Sequence, residues 1–370
     1  MKKDIRALSR AEMEDLMKRL SFERFRADQV FDWLHGKLVS DFSEMKNVPG
    51  KLKEALSTEY EITPVKKELV QESSDGTRKY LFRMADDQMI ESVLMRYEHG
   101  LSICVSSQAG CRMGCRFCAS TIGGLCRNLA VGELLGQVYE VSKDGGERIS
   151  NVVIMGTGEP LDNYRNVLTF IRLLNEERGL HISQRNITLS TCGLPEKIRA
   201  LAKEELQITL AVSLHAATDE KRRKLMPVAD SVSLKELMAV CHEYQDAGGR
   251  RLTFEYSLIA GFNDTDEDVR SLKALLSGLN AHVNLIPVNP VRERSFRPPD
   301  AGAVRAFQNK LEKNHINVTI RRELGQDIDG ACGQLRRSFK TAEGVCCAED
   351  LCKNRYRQKK EHESGQPVFQ

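Results

Sequence analysis

No run of apolar residues in this chain approaches the length of a membrane-spanning helix; ITLAVSL (208–214) is long enough only for a buried strand. The opening stretch, MKKDIRALSRAEMEDLMKRL, holds no apolar h-region, which excludes a secretory signal and makes the cytosol the expected location. Net charge is scarce as well. The 55 Lys and Arg stand against 52 Asp and Glu, a formal +3 that is too near neutral to announce a polyanionic partner. No GxGxxG fingerprint follows an expected strand, which argues against a Rossmann-type nucleotide site. Nor does any sequence repeat of about 20–50 residues recur, so a solenoid or propeller is set aside.

The 370 residues, 41% apolar and 29% charged, suffice for one large domain, or one large and one small, with a substantial core. Eleven cysteines is an odd count in a chain too long to need disulfide staples. In a reducing compartment clustered cysteines point to metal or catalysis, whereas isolated ones are read as packing. Positive charge, small in sum, recurs in short groups: RNITLS, KRRKLM, RERSFR, RRELG, LRRSFK and KNRYRQKK, densest beyond residue 290. Such groups neutralise phosphates or merely solvate a face, so they permit RNA without requiring it.

Residues 1–60 read as a helical module. AEMEDLMKRL, RADQVFDWLHGKL and PGKLKEALSTEY carry apolar residues at three- and four-residue spacing. Residues 61–100 contain TRKYLFRM and MIESVLMRY, which alternate as strands and bridge to the main domain. From 101 to 322 strands alternate with amphipathic helices: SICVSS, NVVIMG, NITLST, ITLAVSLH, LTFEYSLI and HVNLIPVN, with INVTIR as a further strand. That alternation predicts a parallel α/β sheet curled into a partial or complete barrel, with an open doubly wound sheet as the rival. In either case ligands gather beyond the carboxyl ends of the strands. Residues 323–340 form a glycine-containing loop, and 341–370 a basic, partly disordered tail.

Just after the strand SICVSS stands CRMGCRFCAS, placing Cys111, Cys115 and Cys118 at Cys-x3-Cys-x2-Cys spacing with no fourth cysteine beside them. Zinc with a distant fourth ligand satisfies that spacing. So does an iron–sulfur cluster with one iron left open. After the next strand comes MGTGEPLDNY, whose Gly156 and Gly158 allow close backbone approach and whose Glu159 offers a carboxylate. Two such motifs on successive strand ends resemble the radical S-adenosylmethionine (SAM) enzymes. That resemblance implies a partial (β/α)6 radical SAM barrel with a small helical N-terminal accessory domain, one [4Fe–4S] cluster on the three cysteines, and SAM at the open iron. It further implies that Gly158, Glu159, Ser190, Ser213, Leu214, His215 and Asn289 line the SAM pocket.

ICVSSQAGCRMGCRFCAS, VSLHAATDEKR, LIPVNP and RRELGQDIDGACGQL, together with the helical leader, are similar to the RlmN family over nearly the whole chain. The resemblance implies methylation of C2 of adenosine in RNA: adenosine 2503 of 23S rRNA and adenosine 37 of tRNAs, with two SAM molecules per turnover. Cys332 would carry the methyl group, Cys104 would resolve the enzyme–RNA adduct through a transient disulfide, and Glu91 would accept a proton. Glu91 sits on an expected strand, where an exposed glutamate would be unremarkable. An external one-electron donor such as flavodoxin or ferredoxin, RNA held by the helical module and basic tail, and a cytoplasmic monomer complete the expectation. Cfr-type methylation of C8 of the same rRNA adenosine is the nearest alternative. A radical SAM enzyme on a non-RNA substrate and a non-catalytic metal-containing RNA binder are more distant ones. Cys126 and Cys192 are read as packing, and Cys346, Cys347 and Cys352 as inert thiols.

Overall fold

The computed structural model describes residues 2–98, 100–291, 294–325, 327–328, 333–336 and 339. Cys332, Cys346, Cys347, Cys352 and the tail 341–370 lie outside the described residues.

Near the N-terminus β1 (Lys3–Asp4) pairs in parallel with β2 (Tyr60–Glu61), and three helices lie between them. Helix α1 (Arg10–Arg19) begins where Ser9 and Glu12 form a reciprocal capping box. Helix α2 (Phe25–Phe31) runs into a π turn at Asp32–Gly36, and α3 (Gly50–Glu59) follows. Met13, Leu16 and Met17 meet Ala27, Val30, Leu34, Leu52 and Leu56 in a core of their own, as their helical spacing requires.

An antiparallel meander of β3 (Lys66–Glu72), β4 (Arg78–Arg83) and β5 (Met89–Tyr97) leads into β6 (Gly100–Cys104). Strand β3 is an edge strand, KKELVQE, with charged, exposed residues in place of apolar alternation, so its sequence carries no strand period. After β6 a short hairpin, β7 (Gln108–Gly110) and β8 (Leu125–Asn128), frames the three-cysteine segment. Sequence periodicity cannot reveal strands this short.

The chain then alternates through α4 (Val131–Gly145), β9 (Ile149–Ile154), α5 (Tyr164–Asn175), β10 (Ile187–Thr191), α6 (Pro195–Ala202) and β11 (Thr209–Ser213). It continues through α7 (Asp219–Leu225), α8 (Leu234–Asp246), β12 (Leu252–Leu258), α9 (Asp266–Leu275), β13 (Ala281–Pro287), α10 (Ala301–Lys313) and β14 (Val318–Ile320). One ten-stranded sheet results, in the order β14-β13-β12-β11-β10-β9-β6-β5-β4-β3, parallel from β6 to β14. Leu189, Leu210, Val212, Phe254, Val283 and Leu285 join the helices in the main core. The alternate residues Ser190, Ser213, Glu255 and Asn284 turn to the other face. Helices therefore cover one face only, which rules out the doubly wound rival. Edge strands β14 and β3 do not pair with each other, so the barrel is partial. No helix among the described residues is long and apolar enough to cross a membrane.

His35, on the π turn, ties the helical module to α4. Its Nδ1 lies 2.6 Å from the Tyr139 hydroxyl, and both side chains are buried. Burial, assisted by the nearby Arg6 charge, holds the imidazole down to about 3 from an ordinary 6.5. Below pH 6.5 the unfolded chain takes up a proton that folded His35 refuses. Stability present at neutral pH is then lost on acidification by about 1.4 kcal/mol per pH unit. Urea denaturation at pH 7 and pH 5 should therefore show the native chain losing on the order of 2 kcal/mol more than His35→Gln; equal losses would remove His35 from the account.

Candidate active site

The carboxyl ends of β6, β9, β10 and β11 converge on the cysteine segment, because parallel strands all finish at one rim. That segment is fixed from several sides. The Cys111 amide donates to the Gly124 carbonyl at 3.0 Å, and the Thr121 hydroxyl donates to the carbonyls of Cys115 and Cys118 at 3.1 and 2.9 Å. The Arg116 amide donates to the Leu225 carbonyl at the end of α7 at 2.8 Å. Met113, Cys115 and Phe117 pack on Cys192, Leu225, Met226 and Val288. The loop is thus seated by its apolar residues while its thiols line a cavity of about 190 Å3.

Cys111, Cys115, Cys118, Gly158, Glu159, Ser190, Ser213 and His215 all line this cavity. At Gly158 φ is +112°, and a Cβ would sit 2.6 Å from Gln108 Cβ and 2.7 Å from Ser107 Oγ, so only glycine lets the end of β9 lie against the end of β6. The next residue, Glu159, is buried; its Oε1 accepts from the Leu161 amide at 3.0 Å and its Oε2 from the Cys192 amide at 2.7 Å. Burial raises its carboxyl above the usual range, opposed by those two amides. The Thr191 and Cys192 side chains also hydrogen-bond to it, so the carboxylate is held from several sides at the cavity wall.

His215, at φ +57°, accepts from the Ser257 amide through Nδ1 at 3.0 Å, which leaves Nε2 as the protonated nitrogen of a neutral ring. Burial, with Arg222 nearby, pushes it down to about 3. Its ring meets Phe117 edge-on with centroids 4.7 Å apart. Two predicted pocket residues do not line this cavity. The Leu214 side chain is buried in the main core, because strand alternation turns it outward between Ser213 and His215. Asn289 lies beyond β13 and lines a second cavity of about 300 Å3, together with Val93, Met95, Cys104, Arg321 and Gln334.

Glu91 is not the exposed strand glutamate that its setting suggested. It is buried beside the equally buried Lys79, with 3.1 Å between Nζ and Oε2. Its carboxylate accepts from the Gly333 amide at 2.7 Å and the Arg336 amide at 2.5 Å. Leu335 packs between these anchors on Leu81 and Met89. Upstream, Asp75 accepts from the Gly325 amide at 2.9 Å, and Asp327 accepts from the Ser74 amide at 2.9 Å. The β3–β5 extension therefore holds both sides of the segment that contains position 332. Gly333, at φ +81°, presses on the cysteine loop: a Cβ there would stand 2.9 Å from the Ser120 amide nitrogen and 3.1 Å from the Ala119 carbonyl carbon. Lys79 was missed in the sequence, because beside Arg78 at the start of YLF it reads as an ordinary exposed strand lysine.

Residues 105–276 match the radical SAM superfamily, and residues 3–62 match the ribosomal RNA large subunit methyltransferase N-terminal domain. A probable dual-specificity RNA methyltransferase RlmN of Lachnoclostridium phytofermentans is 54% identical over 337 residues, spanning 91% of this chain and 95% of that protein. Its counterpart in Clostridium perfringens is 50% identical over 93% of this chain and 99% of its own. The chain belongs to the RlmN family of radical SAM RNA methyltransferases. A crystal structure of a radical SAM methyltransferase from Sphaerobacter thermophilus has the same fold, with TM-score 0.85 and 41% identity over 90% of this chain and 98% of that one.

RlmN membership implies SAM and an iron–sulfur cluster, and the donors present fit both. Among the described residues no three Cys, His, Asp or Glu side chains converge tightly enough to hold one metal ion. Three thiols outside any disulfide, ringed around a cavity, suit a polynuclear cluster instead, since each thiolate there binds its own iron. Burial pushes the Cys111 thiol up to about 12 and raises that of Cys115 as well, so metal must displace their protons. Cys192, read from sequence as packing, also borders this cavity, and its amide anchors Glu159. In anaerobically reconstituted protein, Gly158→Val should weaken SAM binding by equilibrium dialysis at least tenfold, about 1.4 kcal/mol. Gly50→Ala, with no atom within 4 Å of the added Cβ, should leave it unchanged.

Proposed function

We propose that this chain methylates C2 of adenosine in RNA, at adenosine 2503 of 23S rRNA and adenosine 37 of tRNAs, through an S-methyl group carried on Cys332. What supports this reading most directly is the Gly333 backbone pressed against Ala119–Ser120, immediately after Cys118, with its amide held by Glu91. Gly333 directly follows the carrier position in the sequence.

Adenine C2 is an sp2 carbon without nucleophilic character, so direct displacement of a methyl group from SAM has no attacking lone pair at that atom. A thiolate has one, and Cys332 takes that role toward the first SAM. When bound, the [4Fe–4S] cluster supplies the electron that cleaves the second SAM to a radical able to abstract hydrogen from the S-methyl group. Cys111, Cys115 and Cys118 hold that cluster. Gly158, Glu159, Ser190, Ser213 and His215 embrace the SAM beside it. Cys104 ends β6 in the neighbouring cavity, buried with Val93, Met95 and Val153 around it. It resolves the thioether joining Cys332 to the RNA by attacking its sulfur: the S–S bond forms as the S–CH2 bond breaks. The carbon leaves with the electron pair and takes a proton to become methyl, and an external thiol reductant reopens the disulfide. The step needs the two α-carbons within about 7 Å.

Glu91, already accepting two amides and pairing with Lys79, positions the carrier segment and serves as the proton acceptor. The C2 edge of adenine is covered in a stacked duplex, so the target nucleotide lies in a loop or is splayed from its neighbours. The helical module of residues 1–60 and the basic groups beyond residue 290 grip the surrounding RNA. The enzyme acts as a cytoplasmic monomer fed by an external one-electron donor of the flavodoxin or ferredoxin type.

Incubation of RNA with reconstituted enzyme and SAM carrying a fully deuterated methyl group should yield 2-methyladenosine with two deuteriums, one having been lost on the carrier. Mass spectrometry against C2 and C8 standards reads both the position and the label; a methyl with all its deuterium, or one on C8, refutes the assignment. Cys332→Ala should give no product. Cys104→Ala should accumulate protein crosslinked to RNA, and a clean gel with normal turnover would end its resolving role.

A further inference from the structure

Arg222 projects from the middle of α7 into a fully buried position beneath the cysteine loop, with 0% of its surface exposed. Its Nη2 donates to the Cys192 carbonyl, just past the end of β10, at 2.7 Å. Nε and Nη1, equally shut off from solvent, have no hydrogen-bond partner among the described residues. Nor does any carboxylate among them pair with it. Asp219, on the same helix, acts on it only from a distance and accepts instead from the Leu234 amide at 2.8 Å. A guanidinium cannot shed its proton under ordinary conditions. Burying one without a counter-charge costs several kcal/mol. Burial opposes its charge, and the groups that favour it most are the thiols of Cys192 and Cys115.

The same helix touches the cluster loop directly, since the Leu225 carbonyl receives the Arg116 amide midway between Cys115 and Cys118. The missing negative charge is thus expected on the cysteine loop. Thiolates and sulfides leave a three-cysteine iron–sulfur cluster anionic, and its one-electron reduction adds a further negative charge. A fixed cation nearby stabilises the reduced form more than the oxidised one, and net charge is among the levers that set such potentials.

We propose that Arg222 is the buried counter-charge of the thiolate-held cluster, raising its reduction potential into reach of an external one-electron donor. This rests on the cluster assignment made above, and it makes Arg222 a positioning and electrostatic residue that touches neither SAM nor RNA. The hydrogen bond to Cys192 holds the guanidinium in place, and that residue's amide in turn holds Glu159, so one turn joins the cation to the SAM cavity.

The test is an EPR-monitored potentiometric titration of anaerobically reconstituted wild type, Arg222→Lys, Arg222→Met and Arg222→Gln, with iron content and far-UV circular dichroism measured alongside. Gln keeps an N–H for the Cys192 carbonyl without the charge, and serves if Met does not fold. At the ambient potential where the wild-type cluster is half reduced, the neutral variants should show at least a tenfold lower reduced-to-oxidised ratio, a 59 mV shift for one electron. Arg222→Lys should stay near wild type. A folded neutral variant that loses its iron while Arg222→Lys keeps it also supports the counter-charge. An unchanged midpoint in a folded neutral variant overturns the proposal, as does a Lys variant that behaves like Met or Gln. Wild-type protein that holds no four-iron cluster is a separate result, the failure of the cluster assignment itself.

Discussion

Parallel pairing from β6 through β14 obliges successive strands to end on the same rim, and strand alternation obliges every second residue to face away from the helices. The rest of the molecule follows from those two geometric requirements. Leucine, valine and phenylalanine on one parity bury against the helices. The other parity is free to carry Ser190, Ser213, Glu255 and Asn284 around a concave interior. Residues just past the strand ends, Glu159, Cys192 and His215, then meet the cysteine hairpin although the first and last of them stand 56 positions apart. No local contact could assemble such a set; register does.

Polar groups in the interior are held chiefly by backbone amides. Glu159 takes the amides of Leu161 and Cys192, Glu91 takes those of Gly333 and Arg336, and His215 takes that of Ser257. Amide donors are part of a rigid scaffold, so they fix a side chain without the rotamer freedom that a side-chain partner would lose. Arg222 departs from this pattern. Among the described residues it has one carbonyl for five N–H groups, and that shortfall distinguishes it from a cation placed only for stability.

The β3–β5 meander has a place in the same economy of parts. It adds strands to the open edge of the sheet, and its turn and strands supply Asp75, Lys79 and Glu91. Through them the chain just before and just after position 332 is fastened to the sheet edge beside the cysteine loop. An open barrel leaves that edge available; a closed one would have paired it with β14 and excluded the segment.

Much of this was legible along the chain. Helix periods, apolar strand runs and the Cys-x3-Cys-x2-Cys and GTGEP motifs are local patterns, and local patterns survive in one dimension. The short hairpin β7–β8, the charged edge strand β3, the outward turn of Leu214 and the displacement of Asn289 to the second cavity were not, because each depends on which residue stands opposite in space. Glu91 shows the difference most sharply. Its position on a strand could be read directly, yet its burial, its pairing with Lys79 and its grip on Gly333 arise only when residues 242 positions apart are brought together. The sequence by itself determined the helical leader, the strand–helix alternation of the barrel, the thiol set and the family; the tertiary structure decided which charges are buried and what they hold, since desolvation and hydrogen bonding are set by three-dimensional neighbours.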